Sequence, residues 1–464
     1  MVPSPLRPFK AGKIAIKPSV KVGYIVEPLP RAWCGVCRCQ THHGSKMSRY
    51  NIWKLIGNAL RGHQDWSPAW RNPEPAPHYD VIIVGGGGHG LATAFYLAKH
   101  HDVGRIAVLE KGWLGGGNIG RNTTIVRSNY LLPGNSKMYE KSLKLWHQLS
   151  QELNFNVMFS ARGVLNLAHS DSQVDAHVRR GNSMRLQGID AEWMTPADIA
   201  REMPCINLDP NMRFPVFGGL MQRRAGNARH DAVAWGFARG ADMMGVDLIQ
   251  NCEVMGFQRT GGAVTAVETT RGVIGCGKLA LAVAGSTTTL TEKLGFKVPI
   301  ESHVLQAFVS ESVKPLIDHV VTYGAGHFYI SQTNKGGLIF GGDLDKYNSY
   351  AQRGNLPLVD HVLSAGMAMV PQISRLRMLR SWGGIMDMTM DGSPIIDKAP
   401  LDNVYLNCGW CYGGFKATPG SGWCYAHTIA NDAPHPFNED LTLRRFETGH
   451  LLDEPGNGPT PKQH

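Results

Sequence analysis

The chain has 464 residues, of which 43% are hydrophobic and 18% charged, enough to fill more than one core, so two or more domains are expected. Its formal charge of +10 is local. Residues 1–46 carry Arg7, Lys10, Lys13, Lys17, Lys21, Arg31, Arg38 and Lys46 against Glu27 alone, which leaves the body nearly neutral and excludes a broad phosphate-binding face.

In chain order, residues 1–46 read as a basic leader, expected to be disordered or not part of the native chain. Cys34, Cys37 and Cys39 crowd there with His42 and His43, but their spacing fits no common zinc pattern, so no metal is assigned. The other six cysteines are scattered, as in a reducing compartment. No apolar run reaches the ~18 residues of a membrane span and no signal peptide is evident, so a cytoplasmic protein is expected. Residues 47–78, with Trp53, Trp66, Trp70 and a proline-rich end, read as an N-terminal arm.

From Tyr79 the pattern sharpens. Asp80-Val81-Ile82-Ile83-Val84 reads as a buried strand running into a G-x-G-x-x-G turn through Gly85, Gly87 and Gly90, and Leu91–Ala98 reads as a helix. A second strand, Arg105–Leu109, ends at Glu110, where an acid accepts hydrogen bonds from an adenosine ribose and disfavours a 2′-phosphate. The free amides of the helix's first turn suit a pyrophosphate. The bare motif is weak evidence; with strand, helix, second strand and acid all in place, it predicts FAD or NAD. Further along, the periodicity predicts helices over Met138–Leu153 and Asp231–Met244, and strands over Gly163–Leu167, Asp247–Ile249 and Ala263–Thr269. The alternation is that of an α/β or α+β enzyme.

Two more glycine-rich stretches favour a flavin. Lys111-Gly112-Trp113-Leu114-Gly115-Gly116-Gly117-Asn118-Ile119-Gly120-Arg121-Asn122 follows Glu110 directly, where a simple NAD dehydrogenase usually begins a helix. Near the other end, strand Val404–Asn407 leads through Cys408–Lys416 and Thr418–Gly422 to an apolar helix. This arrangement resembles flavoproteins of the D-amino-acid oxidase and glycine oxidase superfamily. That resemblance implies a Rossmann-like FAD-binding domain (79–160, 220–300 and 380–440), a second, mostly antiparallel-sheet substrate domain (161–219 and 301–379), and a C-terminal tail (441–464).

The match becomes closer at Tyr79–Gly90, Val108–Asn122, Thr123–Tyr130, Phe159–His169, Gln222–Gly236, Glu301–Ala307, Trp382–Asp387 and Cys408–Gly422. These strings are similar to the beta subunits of heterotetrameric sarcosine oxidases, over roughly residues 47–464. The resemblance implies noncovalent FAD held by Gly85, Gly87, Gly88, Gly90, Glu110, Lys111, Gly117, Asn118, Arg121, Asn122, Gly413, Gly414 and Phe415. It also implies FMN bound covalently to His230, with His169 as the competing candidate. Arg127 and Lys416 match the cations that hold a substrate carboxylate in related amine oxidases. The implied reaction turns sarcosine into glycine and formaldehyde, or passes the one-carbon unit to tetrahydrofolate. Electrons pass from FAD to FMN and on to dioxygen, giving hydrogen peroxide, and the implied partners are alpha, gamma and delta subunits.

His303, Tyr323, His327 and Lys335 are further site candidates that nothing in the sequence ranks. Two departures from the family bear on substrate identity: Cys411-Tyr412 stands where Gly-Thr is expected, and Asp387–Gly392 varies. Alternatives are an enzyme for another secondary amine such as dimethylglycine or proline, a tRNA-modifying flavoprotein, and a noncatalytic flavin-binding subunit.

Overall fold

The structure is a computed structural model that describes residues 52–64, 68–324, 327–345 and 347–455. The basic leader with its cysteines, and Trp66, lie outside them. The chain divides into two compact units, Met1–Ser67 and Pro68–His464. In the first, helix Ile52–Leu60 carries an apolar stripe of Ile52, Trp53, Leu55 and Ile56.

The second unit is built on two sheets of eight strands each. The first runs Ile395–Lys398, Val404–Cys408, Gly272–Leu281, His78–Val84, Ile106–Leu109, Asp247–Ile249, all parallel after the antiparallel Ile395–Lys398 edge. The hairpin Val254–Thr260 and Ala263–Thr269 extends Gly272–Leu281. The central strand is apolar throughout its second half because both faces are covered, as in a doubly wound sheet. Helices Gly88–His100, Pro133–Glu152, His230–Met243 and Gly414–Asn431 pack Phe95, Trp146, Phe237 and Tyr425 into one core on one face. Each such side chain contributes ~1.5–3 kcal/mol by leaving water.

The second sheet runs Met378–Thr389, Ile300–Ser312, Gly337–Leu344, Phe328–Gln332, Val320–Tyr323, Val164–Ala168, Gly218–Gln222, Glu192–Met194. It is antiparallel except between Val320–Tyr323 and Val164–Ala168. Strand Met378–Thr389, which begins at the expected domain border, thus pairs in this sheet and lies against the second glycine loop. Asn118 joins the two: its Nδ2 donates to the Ile385 carbonyl, and Ile385 N donates to Asn118 Oδ1 at 3.0 Å.

The predicted helices and strands fall within a few residues of the observed ones, with one informative difference. The C-terminal glycine stretch is not a loop through Gly422: the helix already begins at Gly414 and contains Pro419. A proline should break it, but the surroundings repair the break. The proline leaves the Phe415 carbonyl without its i+4 donor, and the neighbouring turn is held from outside: the Lys416 carbonyl accepts from Ser142 Oγ and Trp146 Nε1, both at 2.8 Å, while Gly420 N donates to Ser142 Oγ at 3.2 Å.

Residues 441–455 are packed rather than loose. Buried Arg445 forms a forked ion pair with buried Asp391, at 2.7 and 3.0 Å. Buried Glu454 accepts from Leu131 N, Leu132 N and Asn135 Nδ2 at the start of helix Pro133–Glu152.

Candidate active site

The glycine turn is shaped by backbone crowding. Gly85 has φ +110°, and a Cβ there would lie 2.4 Å from the Ala282 carbonyl oxygen; one on Gly90 would lie 2.0 Å from that of Gly85. Only glycine fits either place. Gly87 caps helix Gly88–His100 without a side-chain hydrogen bond, and the space beside its Cα is open, as it is beside Gly117. Gly88 faces Ile119 and Thr418 instead. Glu110 accepts from Gly86 N at 2.8 Å and Gly112 N at 2.9 Å, one bond to each carboxylate oxygen, so both oxygens keep a lone pair for a ligand. Free amides over open space, beside a half-satisfied carboxylate, fit the diphosphate and ribose of a dinucleotide.

Other expected cofactor residues shape the second loop rather than reach into it. Arg121 donates to the Gly116 and Gly117 carbonyls and to Gln352 Oε1, while its own carbonyl accepts from Trp382 Nε1 at 2.7 Å. Asn122 Oδ1 accepts from Thr124 N at 2.6 Å, and Asn118 is spent on Ile385. Lys111 is exposed at the ribose end. At the C-terminal end, Gly413 and Gly414 begin the last long helix, while Phe415 turns its ring into the core against Trp146 at 5.4 Å.

Tyr130 and Tyr139 stack at 3.7 Å, and a Cβ on Gly413 would collide with the Tyr139 hydroxyl. Arg127 lies over the Tyr130 ring at 5.0 Å and donates to Asn129 Oδ1 at 2.5 Å. Lys416, only 6% exposed, donates to the Tyr412 carbonyl at 2.6 Å. Burial, then the Arg127 charge, holds its amine well below the usual lysine range. Among the described residues neither side chain is ion-paired to a carboxylate, so the two could hold an anion.

His230 begins helix His230–Met243, half-buried, and its ring makes no hydrogen bond among the described residues. Burial lowers its pKa, so the ring is neutral. His169 packs edge-on against Tyr323 at 4.2 Å and donates Nδ1–H to the Pro215 carbonyl. Buried His303 contacts the Asp345 carbonyl, whereas His327 and Lys335 are exposed.

Two residues not singled out in the sequence meet at the C-terminal turn. His89, inside the glycine motif, stacks on Trp410 at 4.5 Å and 11° and contacts Ser421 Oγ through Nδ1; burial lowers its pKa to about 3. Asp387, beneath the same turn, accepts from Gly409 N at 2.6 Å. The signal for these contacts was absent because their partners are far apart in sequence.

The profile of the FAD dependent oxidoreductase family matches residues 80–428. The chain is 64% identical over 416 residues to the sarcosine oxidase subunit beta of Rhizobium meliloti, covering 90% of this chain and 100% of that one. It is 54% identical to the same subunit from an Arthrobacter species, over 83% and 96% of the two chains. The chain belongs to the sarcosine oxidase beta-subunit family of FAD dependent oxidoreductases. Among solved structures, L-proline dehydrogenase from P. horikoshii superposes with a TM-score of 0.76 at 26% identity, covering 82% of this chain and all of that one. Glycine oxidase from Geobacillus kaustophilus gives 0.72 at 21%, over 80% and 99%. The expected flavoenzyme fold and flavin-dependent oxidoreductase class are thereby borne out. As a member of this family the chain takes FAD, and the turn at Gly85–Gly90 fits it. No helix among the described residues is long and apolar enough to cross a membrane.

Proposed function

We propose that this chain oxidises sarcosine on FAD and works as the beta subunit of an assembly with alpha, gamma and delta subunits. The observation that carries this reading is the pair Arg127 and Lys416, which among the described residues have no acidic partner and flank the turn that opens the last helix. A fork and a point charge suit one small carboxylate. They also make a protonated amine costly beside them, so the substrate amine binds as the free base and leaves its proton in water.

Bound FAD, held by Gly85, Gly87, Gly88, Gly90 and Glu110, supplies the two-electron acceptor for the N-methyl carbon. The amide end of helix Gly414–Asn431 favours negative charge in front of Gly413 and Gly414. Glycine and formaldehyde, or a one-carbon unit on tetrahydrofolate, are the products. His230 would anchor a covalently held FMN, which would supply a second redox centre for passing electrons to dioxygen to give hydrogen peroxide. The neutral imidazole with no hydrogen bond to its ring suits such an anchor.

Anaerobic mixing with sarcosine, dimethylglycine and proline tests the substrate: sarcosine should reduce the flavin fastest, and a preference for proline overturns this choice. Mass spectrometry of the denatured chain tests the second flavin. FMN mass on the peptide bearing His230 is expected, and an unmodified peptide from active enzyme contradicts it.

A further inference from the structure

We propose that Asp387 is a positioning residue for the flavin end of the site, its ionised carboxylate holding the turn Cys408–Gly413 so that Gly414 and Lys416 are correctly presented. The proposal rests on the FAD reading above. Asp387 is 3% exposed on strand Met378–Thr389, opposite Ser302. Its carboxylate accepts from Gly409 N at 2.6 Å, and the Trp410 amide also supports its charge.

From there the contacts run in sequence to the site. The Trp410 carbonyl accepts from Gly413 N at 2.7 Å, and its indole donates to Asn407 Oδ1 at 2.7 Å and stacks on His89. The next residue opens the helix that carries Lys416. The turn needs holding, because Gly409 and Cys411 both sit in the left-handed region, at φ +71° and +48°. For a cysteine that conformation is strained.

The cost of Asp387 is the second observation. Among the described residues no cation pairs with it; buried Arg445, which acts on neighbouring Cys408, is committed to Asp391. The other titratable groups facing it are the thiols of Cys408 and Cys411, both pushed up by burial, the latter to about 12. Burial raises the Asp387 pKa from 3.8 to about 6. The folded chain therefore holds this proton more tightly than the unfolded one. Stability is gained as pH falls from about 6 towards 3.8 and is absent at neutral pH. A carboxylate that weakens the fold at working pH, and that among the described residues accepts from its own backbone and from the turn that opens the Lys416 helix, is placed for function rather than for packing.

Asp387→Asn keeps the shape and an acceptor for Gly409 N while removing the charge. In the assembled enzyme, the variant should retain FAD and melt at a higher temperature than native at pH 8, with the difference narrowing as pH falls through about 6 and vanishing only below 3.8. Its kcat should fall fivefold or more with KM within twofold, and the acid limb of the native pH profile, centred near 6, should be missing. A variant with native kcat and an unchanged acid limb overturns the proposal, and so does one that melts lower at pH 8. The melting comparison needs no substrate, so a failure of sarcosine to reduce native enzyme would sink the substrate assignment alone.

Discussion

Lys416 sits where a lysine is expensive: its amine is buried, faces Arg127, and donates to one carbonyl. A ligand carboxylate restores the reason for its charge, so binding should take up a proton, and affinity should fall as pH rises past the depressed pKa. Calorimetric titration with a nonreactive carboxylate in buffers of different ionisation enthalpy measures that uptake; binding without proton exchange contradicts it. Lys416→Met removes a charge-assisted hydrogen bond worth about 1.5–3 kcal/mol. The specificity constant for sarcosine should therefore fall ~10–100-fold, mainly through KM. Gly90→Ala is a different kind of loss. Its Cβ would meet the Gly85 carbonyl, backbone that cannot swing away, and the purified variant should contain little or no FAD.

At the level of elements, the nucleotide-binding half was legible because its evidence is contiguous. Strand, glycine turn, helix, strand and Glu110 occupy 33 successive residues, His78 to Glu110, and each constrains the next. The last helix was read as starting late because Pro419 and its glycines look like a loop. Their tolerance depends on Ser142 and Trp146, whose contacts span 270 residues or more. His89 and Asp387 were missed for the same reason: His89 meets Ser421 of the last helix 332 residues on, and Asp387 meets Gly409 of the turn 22 residues on. Periodicity carries no trace of such pairings. The C-terminal segment is also more firmly held than its composition suggests. Arg445→Met would leave the Asp391 carboxylate buried without its partner, and stability in chemical denaturation should drop by about 3–5 kcal/mol. A drop under 1 kcal/mol would mean that the pair is incidental.

For the molecule as a whole, the proposed function has one cofactor bridging the two ends of the fold. The turn at Gly85–Gly90 and the turn at Cys408–Gly413 belong to neighbouring helices, with His89 stacked on Trp410 between them. The mostly antiparallel sheet contributes the strand that carries Asn118's partner Ile385, and with it Asp387. The most direct measurement of this account is the flavin content of the purified chain, followed by anaerobic addition of sarcosine. The account predicts one FAD per chain, released on denaturation and bleached by the amine in the native protein. A colourless protein that takes up no FAD on incubation would contradict it.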